Sequence, residues 1–114
     1  MEKENNNNDN NNIDNIDAKF NLNELNNIKI KHNVILLVSK WCAECIPADR
    51  VWRTLAEERK DFTYKLIDVA DPEGRRLSID LYIRSVPSTI IDGKLSYVGI
   101  PTKEDAGELL SVKL

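Results

Sequence analysis

The sequence predicts an α/β domain, a central mixed β-sheet flanked by helices, and three observations carry that expectation. "NVILLVSK" holds five consecutive apolar residues, Val34 to Val38, mostly branched and bounded by polar residues, which reads as a strand buried on both faces. The period then changes, with Ala48, Val51, Trp52, Leu55 and Ala56 falling at the i, i+3, i+4, i+7, i+8 spacing of an amphipathic helix. "PSTIIDGKLSYVG" joins two short apolar segments through Asp92-Gly93, a dipeptide suited to the positive φ angles of a tight hairpin turn. A strand–helix–strand unit forms a right-handed parallel crossover, and a following hairpin adds antiparallel strands to the same sheet.

The 114 residues suffice for one domain with a single core. They open on "MEKENNNNDNNN", with seven asparagines in twelve residues. Such a segment cannot bury enough apolar surface to offset its ordering entropy, so residues 1–17 are expected to form a disordered, acidic tail and residues 18–114 the domain. The tail carries five acids against one lysine, a charge of −4. With −3 for the whole chain, +1 remains for the domain. That balance gives no reason to expect nucleic acid or an anionic membrane as partner. No apolar run approaches the length of about 20 residues that crosses a bilayer, and no charged-then-apolar leader opens the chain, so a cytoplasmic protein is expected.

From Ala18 to Asn33 the apolar spacing fits a strand and a helix in part, and a short element covering the core is expected there. The buried strand follows, then "WCAEC", then the helix to about Arg59. "FTYKLIDV", Phe62 to Val69, is rich in aromatic and branched residues and reads as a strand. "DPEGRRLSIDLYI" starts a helix with Asp71 as N-cap and Pro72 at the first position. Leu77, Leu81 and Tyr82 are expected to face the core, and Gly74 to weaken the helix. After the hairpin, Thr102 caps a last helix whose buried stripe is Ala106, Leu109, Leu110 and Leu114.

The chain has two cysteines, Cys42 and Cys45, at the junction between the buried strand and the first helix. Free backbone N–H groups and the positive end of the helix dipole gather there. Both favour a thiolate, so the thiol pKa of Cys42 is expected below its ordinary value. Cys45, one turn further in, lies within bonding reach. An exposed nucleophile beside a shielded partner suits a dithiol that attacks a disulfide and resolves the mixed intermediate. Two other readings remain open at this point. The cysteines stay idle on a binding module, or they supply half of a metal or iron–sulfur site bridging two chains. Structural zinc needs four ligands, whereas one CxxC and His32 offer three.

On these residues the sequence resembles the thioredoxin superfamily over roughly residues 18–114. "WCAEC" after a buried strand is similar to the active-site motif. "LYIRSVPSTII" resembles the segment that ends in a cis-proline, and "GKLSYVGIPTKEDAGELL" the hairpin and final helix, with Gly99 near the site. The resemblance implies a thioredoxin-like fold and a protein disulfide reductase without an organic cofactor. It assigns Cys42 as nucleophile, Cys45 as resolving thiol, and Trp41, Val86 and Pro87 as the substrate-binding surface. The implied partners are disulfide-containing proteins and a thioredoxin-reductase-type electron donor, met by a monomer. Ala43 and Glu44 replace the Gly-Pro common between the cysteines, and the like charge of Glu44 disfavours a neighbouring thiolate, which predicts a reducing pair. The buried acid of ordinary thioredoxins falls on Leu36, leaving Glu44, Lys40, Lys65 or Asp68 as stand-ins. Pro47, earlier than the family's kinking proline, is expected to disturb the helix.

Overall fold

The computed structural model describes residues 30–111. The expected tail and the element expected before Asn33 lie almost wholly outside the described residues, as does Leu114. The apolar run becomes β1 (His32–Val38), followed by α1 (Cys45–Glu58), β2 (Phe62–Asp68), α2 (Pro72–Asp80), β3 (Ser88–Ile91), β4 (Lys94–Val98) and α3 (Lys103–Ser111). The sheet order is β2-β1-β3-β4. β1 pairs parallel to β2, with Leu36 opposite Leu66, and antiparallel to β3, with Leu36 opposite Thr89.

Strand alternation divides the apolar residues between two faces. Val34 and Leu36 of β1 join Phe62 and Ile91 on one face, where Ala48, Trp52 and Leu55 of α1 and Ala106 and Leu110 of α3 cover them. Leu37, Ile67 and Ile90, also buried, point to the other face. Lys65, opposite Ile35, lies on this second face, and its Nζ stands 3.3 Å from Glu73 Oε1 of α2. Helices thus occupy both faces.

Local chemistry explains the ends of the elements. Asp92 (φ 52°) and Gly93 (φ 83°) both take positive φ in the β3–β4 turn. The Thr102 hydroxyl accepts the Asp105 N–H at 2.9 Å and caps α3. Asp71 stands at the N-cap of α2 and Pro72 follows, but the Asp71 side chain makes no capping bond.

Three local expectations are corrected by packing. Gly74 does not merely weaken α2. A Cβ on it would sit 2.0 Å from the Asp68 carbonyl oxygen, so only glycine lets the helix press against the end of β2. Tyr82 does not face the core. It follows α2 in the left-handed region (φ 55°) with its side chain 83% exposed. Pro47 sits in the first turn of α1, where its missing N–H would have had little to bond. The amide of Ile46 takes the Ala43 carbonyl, and that of Ala48 takes the Glu44 carbonyl.

Candidate active site

Three connections meet at the end of the sheet where β1 finishes. The turn of residues 39–44 leads from β1 into α1. Ser88 pairs with Leu37, which puts Pro87 level with Val38 at the same end. The Gly99 amide, after β4, donates to the Pro87 carbonyl at 2.8 Å, and Gly99 takes φ 102°, a conformation glycine adopts freely. Register therefore gathers Trp41, Cys42, Val86, Pro87 and Gly99, widely separated in sequence, at one end of the sheet.

Cys42 and Cys45 are joined as a disulfide, with their Cα atoms 5.3 Å apart. Cys45 is the first residue of α1 and 6% exposed, whereas Cys42 lies in the preceding turn and is half-buried. The turn already has helical bonding, since the Cys45 amide donates to the Cys42 carbonyl at 3.2 Å. The next amides, of Ala43 and Glu44, donate to no protein group among the described residues. They are the unsatisfied donors of the helix start, and they follow directly on Cys42. The 14-residue α1 directs the positive end of its dipole to the same place. Chemically, the arrangement offers one partly exposed cysteine in a positive field, bonded to a buried one.

Around the pair the surface is apolar and open. Trp41 is 92% exposed and Ile46, just inside α1, is 62% exposed, with Val98 and Ile100 also exposed beside Gly99. Ala43 and Glu44 are exposed between the cysteines, and Glu44 occupies the N-cap position of α1 without a side-chain capping bond. The Val86–Pro87 peptide bond is cis, and among the described residues the N–H and C=O of Val86 take part in no hydrogen bond. Ile46 and Ile100 are the neighbours that motif reading passed over. The signal for Ile46 was present, because it falls outside the apolar stripe of its own helix.

The four stand-ins for the missing acid are now separable by place. Leu36 is fully buried beneath α1. Lys65 lies across the sheet from it, engaged with Glu73. Lys40 and Glu44 are exposed in the turn. Asp68, opposite Val38, is on the α1 face, and its Oδ1 accepts the Ala70 amide at 2.8 Å. His32 lies at the opposite end of β1 from the cysteines, bonded to Asp92. Among the described residues no group of three or more His, Cys, Asp or Glu side chains is placed to hold a metal ion.

The chain matches the thioredoxin-domain family model over residues 27–111. It is 30% identical over 84 residues to a thioredoxin of Mycoplasmoides gallisepticum, a stretch covering 70% of this chain and 82% of that protein. It is 31% identical over 85 residues to a thioredoxin of Methanocaldococcus jannaschii, covering 74% and 98% respectively. A thioredoxin of Fasciola hepatica superposes with a TM-score of 0.58 at 21% identity, covering 79% of this chain and 88% of that one. A protein disulfide oxidoreductase of Aeropyrum pernix gives a TM-score of 0.61 at 19% identity. It covers 77% of this chain, which spans only 39% of the Aeropyrum protein's length. At these identities the solved structures speak to the fold, while the family match and the two sequence relatives speak to descent. The chain belongs to the thioredoxin family, and its chemistry is thiol–disulfide exchange at a paired-cysteine centre.

Proposed function

We propose that the protein reduces disulfides in other proteins, with Cys42 as nucleophile and Cys45 as resolving thiol. The difference in exposure between the two bonded cysteines supports this assignment, since Cys45 is buried and Cys42 only partly so. In the reduced protein the Cys42 thiolate attacks one sulfur of a substrate disulfide. A Cys42–substrate bond forms, the substrate S–S bond breaks, and the other substrate sulfur leaves as thiolate and takes up a proton. Cys45 then gives up its proton and attacks Cys42, which releases the second substrate thiol and restores the Cys42–Cys45 bond. Two electrons have passed to the substrate. A thioredoxin-reductase-type donor returns them, and the cycle contributes to electron transport and cell redox homeostasis.

Trp41, Val86 and Pro87 bind the substrate in this reading. The exposed indole supplies a flat apolar contact, and the open Val86 amide and carbonyl pair with an extended segment of the substrate backbone. Ala43 and Glu44 tune the potential, with the Glu44 carboxylate disfavouring the Cys42 thiolate and so making the pair a reductant. The protein works as a cytoplasmic monomer. Among the described residues no helix is long and apolar enough to cross a membrane.

Insulin reduction with dithiothreitol as electron source tests the proposal. The wild type accelerates precipitation of the insulin B chain, and Cys42→Ser returns the rate to the dithiothreitol background. Activity retained in Cys42→Ser would remove the assigned nucleophile. A wild type with no activity would leave a binding module on a thioredoxin scaffold.

A further inference from the structure

We infer that Trp52 and Thr89 are positioning residues for the exchange reaction, because their buried hydrogen bond fixes the cysteine-bearing helix against the strand that Pro87 leads into. The inference rests on the roles proposed above for Cys42, Val86 and Pro87. Trp52 lies seven residues beyond Cys45, two turns along the same face of α1. Thr89 lies two residues beyond Pro87 in β3, opposite Leu36. Both side chains are fully buried, and Trp52 Nε1 donates to Thr89 Oγ1 at 3.1 Å. Among the described residues it is the one side-chain hydrogen bond between α1 and β3.

The indole is fixed on its other sides too. It meets Phe62 edge-on at 5.9 Å between ring centres and stacks with Tyr64 at 6.4 Å. The Tyr64 hydroxyl donates to Asp49 Oδ1 at 2.7 Å, returning the connection to α1. Trp52 therefore ties the helix to β2 by its faces and to β3 by its N–H. Apolar contacts tolerate sliding, whereas a buried donor with a single acceptor holds one register, since leaving it unpaired is costly. The register held is the placement of the sulfurs, carried by α1, relative to Val86 and Pro87, carried by the entry to β3. A protein substrate paired with the Val86 backbone must present its disulfide to Cys42, so it depends on both halves. A small aromatic disulfide such as dithiobis(nitrobenzoate) needs only Cys42.

The test is the ratio of two rates in Thr89→Val, which keeps the shape and removes the acceptor, and in Thr89→Ser, which keeps the hydroxyl. In Thr89→Val, kcat/KM for insulin is expected to fall about 10-fold while the rate with dithiobis(nitrobenzoate) stays within about twofold, the split expected of misplacement without loss of chemistry. Thr89→Ser restores the wild-type ratio. An unchanged ratio in folded Thr89→Val, or a serine variant as impaired as the valine one, overturns the inference. Should Thr89→Val fail to fold, Trp52→Phe removes the donor and carries the same expectation. If neither variant folds, the pair is structural and the inference fails. A wild type inactive on insulin refutes the reductase reading and this inference with it, while an active wild type with an unmoved ratio refutes the positioning role alone.

Discussion

Where β1 begins, side chains tie it to its neighbours on both sides. His32 Nδ1 lies 2.6 Å from Asp92 Oδ2, Asp92 Oδ1 accepts the Asn33 amide at 2.9 Å, and Asn33 Oδ1 accepts the Thr63 hydroxyl at 2.6 Å. Arg59 holds both carboxylate oxygens of Asp61, at 3.1 and 2.8 Å. Where β1 ends, the connections are tied mainly by backbone bonds, such as Gly99 to Pro87 and Val69 to Val38, while Trp41 and Ile46 turn outward. The difference separates two tasks. One end bonds polar side chains to one another and ties the starts of β1 and β2 to the β3–β4 turn. The other leaves apolar surface and the Val86 backbone unsatisfied, which suits an end that must meet a partner.

The largest effect that sharpens this comparison is chemical. Cys42→Ser should abolish insulin reduction yet leave the far-UV circular dichroism of the reduced protein unchanged, because the sheet is secured at the opposite end.

Gly74→Ala comes next. Its Cβ would meet the Asp68 carbonyl at 2.0 Å, with backbone rather than a flexible side chain in the way. A loss of about 1–3 kcal/mol in urea unfolding is expected for overpacking of this kind. An unchanged midpoint would show that the site end is more yielding than the contact implies.

Asp92→Asn tests the tied end and should cost about 1 kcal/mol at neutral pH, the usual scale for a lost hydrogen bond, without changing insulin turnover. The hydrogen bond from His32, followed by that from the Asn33 amide, holds the Asp92 carboxyl below its ordinary value. A carboxylate whose pKa is lower in the folded state stabilises the fold above its unfolded pKa. That contribution disappears as pH falls through the folded value. Thermal melts taken downward from neutral pH should therefore lose less stability in Asp92→Asn than in the wild type. Equal acid limbs in the two proteins would contradict the pairing.

Trp41→Ala has the smallest effect on stability, within about 0.5 kcal/mol for so exposed a side chain. KM for insulin should nevertheless rise. A large drop in melting temperature with KM unchanged would reverse the contrast between the two ends.

Much of this was legible in the sequence, at particular places. The Val34–Val38 run, the stripe from Ala48 to Ala56 and the Asp92-Gly93 turn each state a local preference that the fold respects. The site was legible in outline because WCAEC and the Val-Pro-Ser step are each compact motifs. What escaped was contact between distant segments. Gly74 reads as a weak helix residue until the Asp68 carbonyl stands against it. Tyr82 reads as core because its spacing continues the stripe of α2, but α2 stops at Asp80 and the chain turns through positive φ. Thr89 reads as one polar residue in a short strand, and nothing nearby announces an indole 37 positions earlier as its partner.

The sequence alone determined the order of elements, the tight turn and the location of the cysteine pair at a strand-to-helix junction. All of these follow from side-chain periodicity and from local φ preferences. Only the tertiary structure decided which strand residue meets the Trp52 indole, which end of the sheet is tied together by side chains, and which face receives Lys65. Those outcomes depend on strand register, and register is fixed by the whole sheet acting together, since a slip of one residue would turn every side chain of a strand to the opposite face.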